Sequence, residues 1–173
     1  MSIHNKVQCL FEQDLSQTDS RIWTATPGVI GSTYFRVFMH SNSWYWDYLN
    51  DVGGRLTGGT ASPNVLYEIE WGNRYVKNLK TGTNFASGNR MTTELGETYY
   101  GLNGLGRTAS GTEYYSRKYW FKVYNSSNEL IGHCVPCKHK VGGVEYKGWL
   151  NIVTLVFSYN TEGSFTISET PAS

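Results

Sequence analysis

Short runs in which large apolar residues alternate with polar ones recur along this chain, and they constrain its fold more than any other feature. Residues 44–48 read Trp-Tyr-Trp-Asp-Tyr and residues 65–71 read Val-Leu-Tyr-Glu-Ile-Glu-Trp. Such alternation sends successive side chains to opposite faces of a β-strand. No window of about 12 residues keeps apolar residues at helical spacing without a glycine or proline. The chain is therefore predicted to be all-β.

The alternating runs predict about a dozen strands separated by turn residues. Residues 34–39 and 44–48 form one predicted hairpin, and residues 65–71 and 75–79 form another. The predicted strands are residues 7–11, 21–25, 34–39, 44–48, 65–71, 75–79, 98–102, 119–125, 130–137, 148–153 and 164–167. So many strands without helices between them favour a sandwich of two antiparallel sheets.

Length and composition agree with one β-sandwich domain spanning residues 1–173, with residues 1–6 as a disordered segment or linker and 168–173 as a tail. Aromatic residues make up 15% of the chain, and there are 19 glycines. Charged residues are only 17% and the net charge is +1, which gives no electrostatic case for nucleic acid or an anionic membrane. Three cysteines argue against a disulfide framework. The start of the chain has no apolar segment of a secretory leader, so we expect synthesis in the cytoplasm without a signal peptide.

The aromatic run in residues 44–48 predicts the best candidate binding site. Trp44, Trp46 and Tyr48 share one face of that strand, with Asp47 on the other and Arg55 nearby. Aromatic rings beside charged and amide groups suit sugars, because a pyranose has an apolar C–H face ringed by hydroxyls. The alternative is that these rings fill the core between two sheets. Both interpretations remain open for each aromatic residue.

Two further groups resemble metal sites. His133, Cys134, Cys137 and His139 offer zinc ligands within seven residues, but there is no second pair, and on a strand the two cysteines would point to opposite faces. The favoured interpretation is half-buried thiols, with zinc or a disulfide as alternatives, and we expect no metal site. Oxygen ligands for calcium are also present at unspecific spacing; they are Asp47, Asn50 and Asp51, near Gly53 and Gly54. No cofactor is predicted, and calcium is the one candidate.

Catalytic motifs are weak. Glu68 and Glu70 share a strand face, as the carboxylates of a retaining glycosidase would, but they also fit the polar face of a hairpin. The glycines of residues 101–106 lack a following helix that would cradle a phosphate. No Ser-His-Asp or Cys-His arrangement stands out among four histidines. The chain is predicted not to be an enzyme.

The last third of the chain resembles a known family. The runs 119–125, 130–137 with its Val135-Pro136-Cys137 strand, 148–153 and 157–165 resemble the end of laminin-G/concanavalin-A-like jelly-roll domains. Such domains occur in phage tail proteins and in gut-bacterial surface proteins. The hairpin of residues 66–78 is similar to a hairpin of the same family.

The resemblance covers most of residues 20–167 and implies a two-sheet antiparallel jelly-roll sandwich. The opening strand of the family has no counterpart, so either a neighbour supplies it or an uncovered edge invites strand pairing. The resemblance further implies a non-catalytic carbohydrate- or receptor-binding module of a phage tail, fibre or head-decoration protein. Its partners would be a bacterial surface polysaccharide and other virion or same-chain subunits, including further copies of itself in a homo-oligomer. It would act at the virion or extracellular surface. The alternatives are a purely structural virion or assembly domain without a ligand, and, less favoured, a glycoside hydrolase.

Overall fold

The structure is a computed structural model of the chain. It describes residues 6–13, 19–27, 35–40, 43–48, 56–62, 65–72, 75–88, 98–102 and 116–159. Side chains are described for residues 6–12, 43–45, 56–62, 65–72, 75–88 and 118–159. Within these ranges there is no helix, and hence none of the length and apolarity that a membrane-crossing helix requires.

The described part of the chain is all-β, which confirms the predicted fold class. In chain order the strands are β1 (Lys6–Gln13), β2 (Asp19–Pro27), β3 (Phe35–His40), β4 (Ser43–Tyr48), β5 (Leu56–Thr60), β6 (Leu66–Gly72), β7 (Tyr75–Asn78), β8 (Asn84–Ser87), β9 (Thr98–Leu102), β10 (Ser116–Tyr124), β11 (Leu130–Val141), β12 (Val144–Asn151) and β13 (Val156–Tyr159). Both predicted hairpins are present, β3 with β4 and β6 with β7. The predicted strand at residues 164–167 lies outside the described residues.

The strands form two antiparallel sheets. One has eight strands in the order β13-β12-β11-β10-β1-β6-β7-β8, and the other has five in the order β5-β4-β3-β2-β9. The first strand of the chain, β1, lies inside the larger sheet, paired with β10 on one side and β6 on the other. The layers are consistent with a β-sandwich.

The core lies between the sheets, and the alternation of β1 and β6 decides which side chains enter it. Along β6 every second side chain is buried, and the register pairs those residues with the buried ones of β1. The core cluster comprises Val7, Cys9, Phe11, Trp44, Ala61, Tyr67, Ile69, Trp71, Val76 and Val123. Each large apolar side chain that is fully buried contributes about 1.5–3 kcal/mol to folding. We call the opposite, solvent side of the larger sheet its outer face.

Three strands, β5, β8 and β13, are not among those predicted from the sequence. Two of them, β5 and β8, meet where glycines allow a close approach. A Cβ built on Gly58 would collide with the carbonyl oxygen of Phe85, and one on Gly59 would lie 2.9 Å from the Phe85 ring. Gly59 also has a φ of 65°, which an L side chain rarely adopts. The glycines of β5 therefore allow this strand to pack closely on β8, and they also leave β5 without the side-chain alternation by which a strand is predicted.

An irregularity in the pairing of β1 with β10 turns a lysine toward the core. Leu10 lies opposite Trp120 and Phe11 lies opposite Lys118, so one residue of β10 is extra. Because Phe11 is a core residue, its partner Lys118 lies on the core face. Burial lowers the pKa of Lys118 to about 8, and burial raises the pKa of the Cys9 thiol to about 12.

Candidate functional site

The structure places only part of the predicted aromatic site. Trp44 is fully described and is 0% exposed. Trp46, Asp47 and Tyr48 lie in β4, opposite residues of β3, but their side chains are outside the description. Arg55, like the calcium candidates Asn50, Asp51, Gly53 and Gly54, is outside the described residues altogether. A ligand site formed by Trp46, Asp47, Tyr48 and Arg55 stays a prediction.

Trp44 is a core residue in this structure. Its ring stacks on Phe85 with centroids 4.6 Å apart, and it meets the rings of Tyr67 and Phe11 edge-on at 5.2 and 6.0 Å. Edge-on and offset-stacked contacts of this kind stabilise aromatic clusters. With no exposed surface, its indole has no face to offer a ligand, so of the two interpretations that the sequence left open, Trp44 has the core role.

The cysteine–histidine run divides between the two faces of β11, as the alternation predicts. Cys134 pairs with the core-side Phe121, whereas Cys137 lies on the outer face with His133 and His139. The two thiols are free and partly buried; burial raises the pKa of Cys134 to about 11 and raises the pKa of Cys137. Among the described residues, no three His, Cys, Asp or Glu side chains are grouped so as to hold a metal ion.

Glu70 belongs to a hydrogen-bonded network on the outer face. It accepts hydrogen bonds from Gln8 Nε2 at 2.7 Å and from the Tyr75 hydroxyl at 3.0 Å, and Lys6 Nζ lies 3.7 Å away. Tyr124 donates from its hydroxyl to Gln8 Oε1 at 3.1 Å, which extends the network to a fourth strand. Burial, followed by the neighbouring Glu70, raises the pKa of Tyr75. Both carboxylate oxygens of Glu70 therefore have donors.

Glu68 lies two residues before Glu70 on the same strand, so both belong to the outer face. Glu70 is 13% exposed, and its network links β10, β1, β6 and β7. Such cross-strand pairs stabilise a sheet. The arrangement of Glu70 is that of a structural residue, and the question of hydrolysis by this pair stays open to experiment.

A cluster of rings on the outer face of β11, β12 and β13 is the feature that sequence reasoning missed. His139 and Phe157 have ring centroids 5.1 Å apart, Phe157 and Tyr159 are stacked at 5.5 Å, and Tyr159 and Tyr146 lie at 4.4 Å. We call these four side chains, His139, Tyr146, Phe157 and Tyr159, the aromatic platform. Tyr159 is 40% exposed, and His139 is exposed as well.

The register of the three strands assembles the platform. His139 lies directly opposite Tyr146, Tyr159 lies opposite Gly148, and Phe157 lies opposite Leu150. The turn between β11 and β12 consists of Gly142 and Gly143, with φ values of 59° and 85°. Two positive φ angles in a two-residue hairpin match the twist of the flanking strands, so this turn fixes the register that brings the rings together.

The ring of Phe157 packs directly on Gly148. A Cβ at this position would come within 2.8 and 2.9 Å of two Phe157 ring carbons and would collide with the carbonyl oxygen of Ser158. The ring therefore lies against the backbone of β12 in the space that a side chain would fill. The lack of a side chain at Gly148 thus allows one platform ring to pack against the sheet.

The charged side chains of this hairpin lie on the other face. Lys138 is opposite Lys147, and Lys140 is opposite Glu145, and all four alternate with the platform residues. The outer face of β11, β12 and β13 carries no lysine, arginine, aspartate or glutamate. Its titratable groups are the imidazoles of His133 and His139, tyrosine hydroxyls and a cysteine thiol. The platform is therefore an apolar surface with hydroxyl and imidazole groups and no fixed charge.

The signal for the platform was present in the sequence but was incomplete. Tyr146 and Gly148 alternate in one strand, and Phe157 and Tyr159 alternate in the next. Those positions show which residues share a face of each strand, but not which strands are neighbours or which face is exposed. Comparison of the chain with protein-family models, with curated proteins and with solved structures gives no match. The candidate site is thus defined by its geometry.

Proposed function

We propose that this protein is a non-catalytic binding module that holds a carbohydrate on the aromatic platform. The observation that carries the proposal is the clustering of four partly or largely exposed rings on one sheet face, with centroids 4.4–5.5 Å apart along the cluster. Rings of this kind stack on the apolar C–H face of a pyranose, while hydroxyl and imidazole groups at their edges bond to its hydroxyls.

The absence of fixed charge on the platform favours a neutral sugar. An acidic glycan would gain from lysines, and the lysines of this hairpin, Lys138, Lys140 and Lys147, lie on the opposite face. Binding through stacking and neutral hydrogen bonds is weak at one site and is strengthened by multivalent display. It depends little on ionic strength, because no ion pair is screened.

The finer assignments belong to the same proposal. The sequence resemblance supports a jelly-roll domain of the laminin-G/concanavalin-A-like type, in a phage tail, fibre or head-decoration protein. The ligand would then be a polysaccharide of a bacterial surface, and the protein would act at the virion or extracellular surface. The two-sheet antiparallel architecture is compatible with that fold.

The test is binding of the purified protein to an array of neutral and acidic bacterial glycans, with and without calcium, together with an assay for released sugars. We expect binding to neutral glycans without release, and loss of at least tenfold in affinity in a Tyr146→Ala/Tyr159→Ala variant. A Lys138→Ala/Lys147→Ala variant is the matched control, because it alters the same strands on the opposite face. Binding that survives the tyrosine variant, or that only the lysine variant weakens, would contradict the proposal.

A second candidate function is assembly without a glycan ligand. The turn between β12 and β13 exposes Ile152, Val153 and Leu155, which are 44%, 45% and 79% exposed. Contiguous apolar side chains at the surface are typical of protein contacts. No glycan binding at concentrations that saturate a control lectin, together with stable association with other subunits, would select this alternative.

A further inference from the structure

A second aromatic cluster lies on the outer face of the larger sheet, on β10 and β11. Lys122 Nζ lies 4.8 Å from the centroid of the Trp120 ring, and the His133 ring meets the same ring edge-on at 6.2 Å. Lys122 lies directly opposite His133 in the pairing of the two strands. All three side chains are half-buried, so each keeps part of its surface exposed. We call Trp120, Lys122 and His133 the lysine cluster.

The polar groups of the lysine cluster are not used by the protein. Among the residues that the structure describes, Lys122 Nζ, the His133 imidazole and Trp120 Nε1 have no hydrogen-bond partner, and Lys122 has no carboxylate within ion-pair distance. An ammonium group has three N–H donors, and a ring beneath it leaves some of them for another partner. The cluster therefore offers a cation and two ring N–H or N groups to a ligand.

A second lysine over a ring, on the same face of the sheet, shows what the lysine cluster lacks. Lys6 Nζ also lies 4.8 Å from the centroid of a ring, that of Tyr124, and it lies 3.7 Å from the carboxylate of Glu70. At Lys6 the sheet itself supplies the anion. At Lys122 the described part of the chain supplies the ring without the anion, so a carboxylate of a ligand would complete the same arrangement through a charge-assisted hydrogen bond.

An apolar path joins the lysine cluster to the aromatic platform. Val135 follows His133 on the same face of β11. Val135 lies opposite Leu150, and Leu150 lies opposite Phe157 of the platform. Adjacent strands are about 4.8 Å apart, so β10 and β13 are separated by about 14 Å. One sugar ring cannot contact Trp120 and Phe157 together, whereas an oligosaccharide that crosses the strands can.

We propose that the lysine cluster is a second subsite, which binds an acidic sugar of the same glycan whose neutral sugars lie on the aromatic platform; this inference rests on the proposed carbohydrate function. Lys122 Nζ donates to the carboxylate of a uronate, and one lysine balances its single charge. The exposed part of the Trp120 ring contacts the C–H groups of the sugar. Burial, followed by the charge of Lys122, lowers the pKa of His133, so its imidazole is neutral at pH 7 and can both donate to and accept from sugar hydroxyls.

The experiment compares two oligosaccharides by isothermal titration calorimetry at low salt. One alternates glucuronate with N-acetylglucosamine and is longer than about 14 Å, and the other is its carboxyl-reduced form, in which each uronate is a neutral glucose. We expect the wild type to bind the acidic form about fivefold more tightly, with a preference that fades as salt is added. Lys122→Gln should bind both forms equally. Lys80→Gln, which removes the same charge from the exposed turn after β7, is the matched control and keeps the preference.

Three outcomes would overturn the acidic subsite: a wild type that binds the two forms equally, a Lys122→Gln variant that keeps the preference, or a Lys80→Gln variant that loses it equally. The Tyr146→Ala/Tyr159→Ala variant separates this subsite from the platform, because it should weaken binding of both forms and keep their ratio. Equal binding of the two forms that depends on the tyrosines would remove only the subsite. A preference that depends on Lys122 but not on the tyrosines would remove only the platform. Binding of neither form, at concentrations that saturate a control lectin, would overturn both.

Discussion

Replacing Trp44 with alanine tests its assignment to the core. The side chain is 0% exposed, and burying a tryptophan removes about 150–250 Å² from water. At about 25 cal/mol per Å², losing that burial costs about 5 kcal/mol. The indole Nε1 has no hydrogen-bond partner within the described part of the chain, and removing an unsatisfied buried donor returns about 1–3 kcal/mol. The expected net loss in the free energy of unfolding is about 2–4 kcal/mol.

A Trp44→Phe variant separates these two contributions. Phenylalanine keeps a ring that can stack on Phe85, where the two ring planes are 10° apart, and it removes the unpaired N–H. We expect its stability to lie within about 1 kcal/mol of the wild type, because the smaller volume and the lost desolvation cost oppose each other.

The assay is urea unfolding with linear extrapolation, followed by circular dichroism, and it requires an unchanged slope between variants. Val144→Ala is the control, since Val144 is 54% exposed and exposed substitutions stay within about 0.5 kcal/mol. A Trp44→Ala variant as stable as that control would refute the core assignment. A Trp44→Phe variant as unstable as Trp44→Ala would refute the assigned balance between packing and the unpaired N–H.

Three further predictions concern pH and glycine. Because burial lowers the pKa of Lys118 from 10.5 to about 8, the unfolded chain binds more protons above pH 8. The free energy of unfolding of the wild type should therefore rise relative to that of Lys118→Met between pH 8 and 9, by up to about 1.4 kcal/mol per pH unit. Ionisation of Cys9 and Cys134 in the unfolded chain opposes the rise in both proteins, because burial raises both thiol pKa values in the folded chain. Parallel pH profiles of the two proteins would contradict this. Gly148→Ala should displace the Phe157 ring, lower the free energy of unfolding by about 1–3 kcal/mol and weaken glycan binding. Unchanged glycan binding would show that the contact of Phe157 with the backbone of β12 is not needed for binding. Gly143→Ala, at a φ of 85°, should cost about 1 kcal/mol in thermal unfolding, more than Gly132→Ala, and equal costs would count against backbone strain in the turn.

The sequence predicted the fold class because alternation is a local property of each strand. The runs that became β4 and β6 alternate clearly, and both hairpins form between predicted neighbours. The strand β5 was missed because Gly58 and Gly59 carry no side-chain pattern, and its contact with Phe85 of β8 appears only in the folded chain. The strands β8 and β13 were missed because each has only four residues, too few for a clear alternating run.

The candidate site was harder to predict because alternation does not say which face is buried. Trp44 shares its strand with Trp46 and Tyr48, and the sequence could not tell the core from the surface. The packing of Trp44 against Phe11 and Tyr67, residues far apart in the chain, decides it. The platform likewise depends on the register that places Tyr159 opposite Gly148, which no local pattern encodes.

The most direct test of the account is an aromatic ¹H–¹³C NMR titration with a neutral glycan selected from the array. The account predicts that the ring resonances of Tyr146, Phe157 and Tyr159 shift together and saturate with one dissociation constant, at low and high salt alike. Shifts confined to Trp46 and Tyr48 would place the ligand on β4 instead, and would contradict the claim that the platform is the binding site.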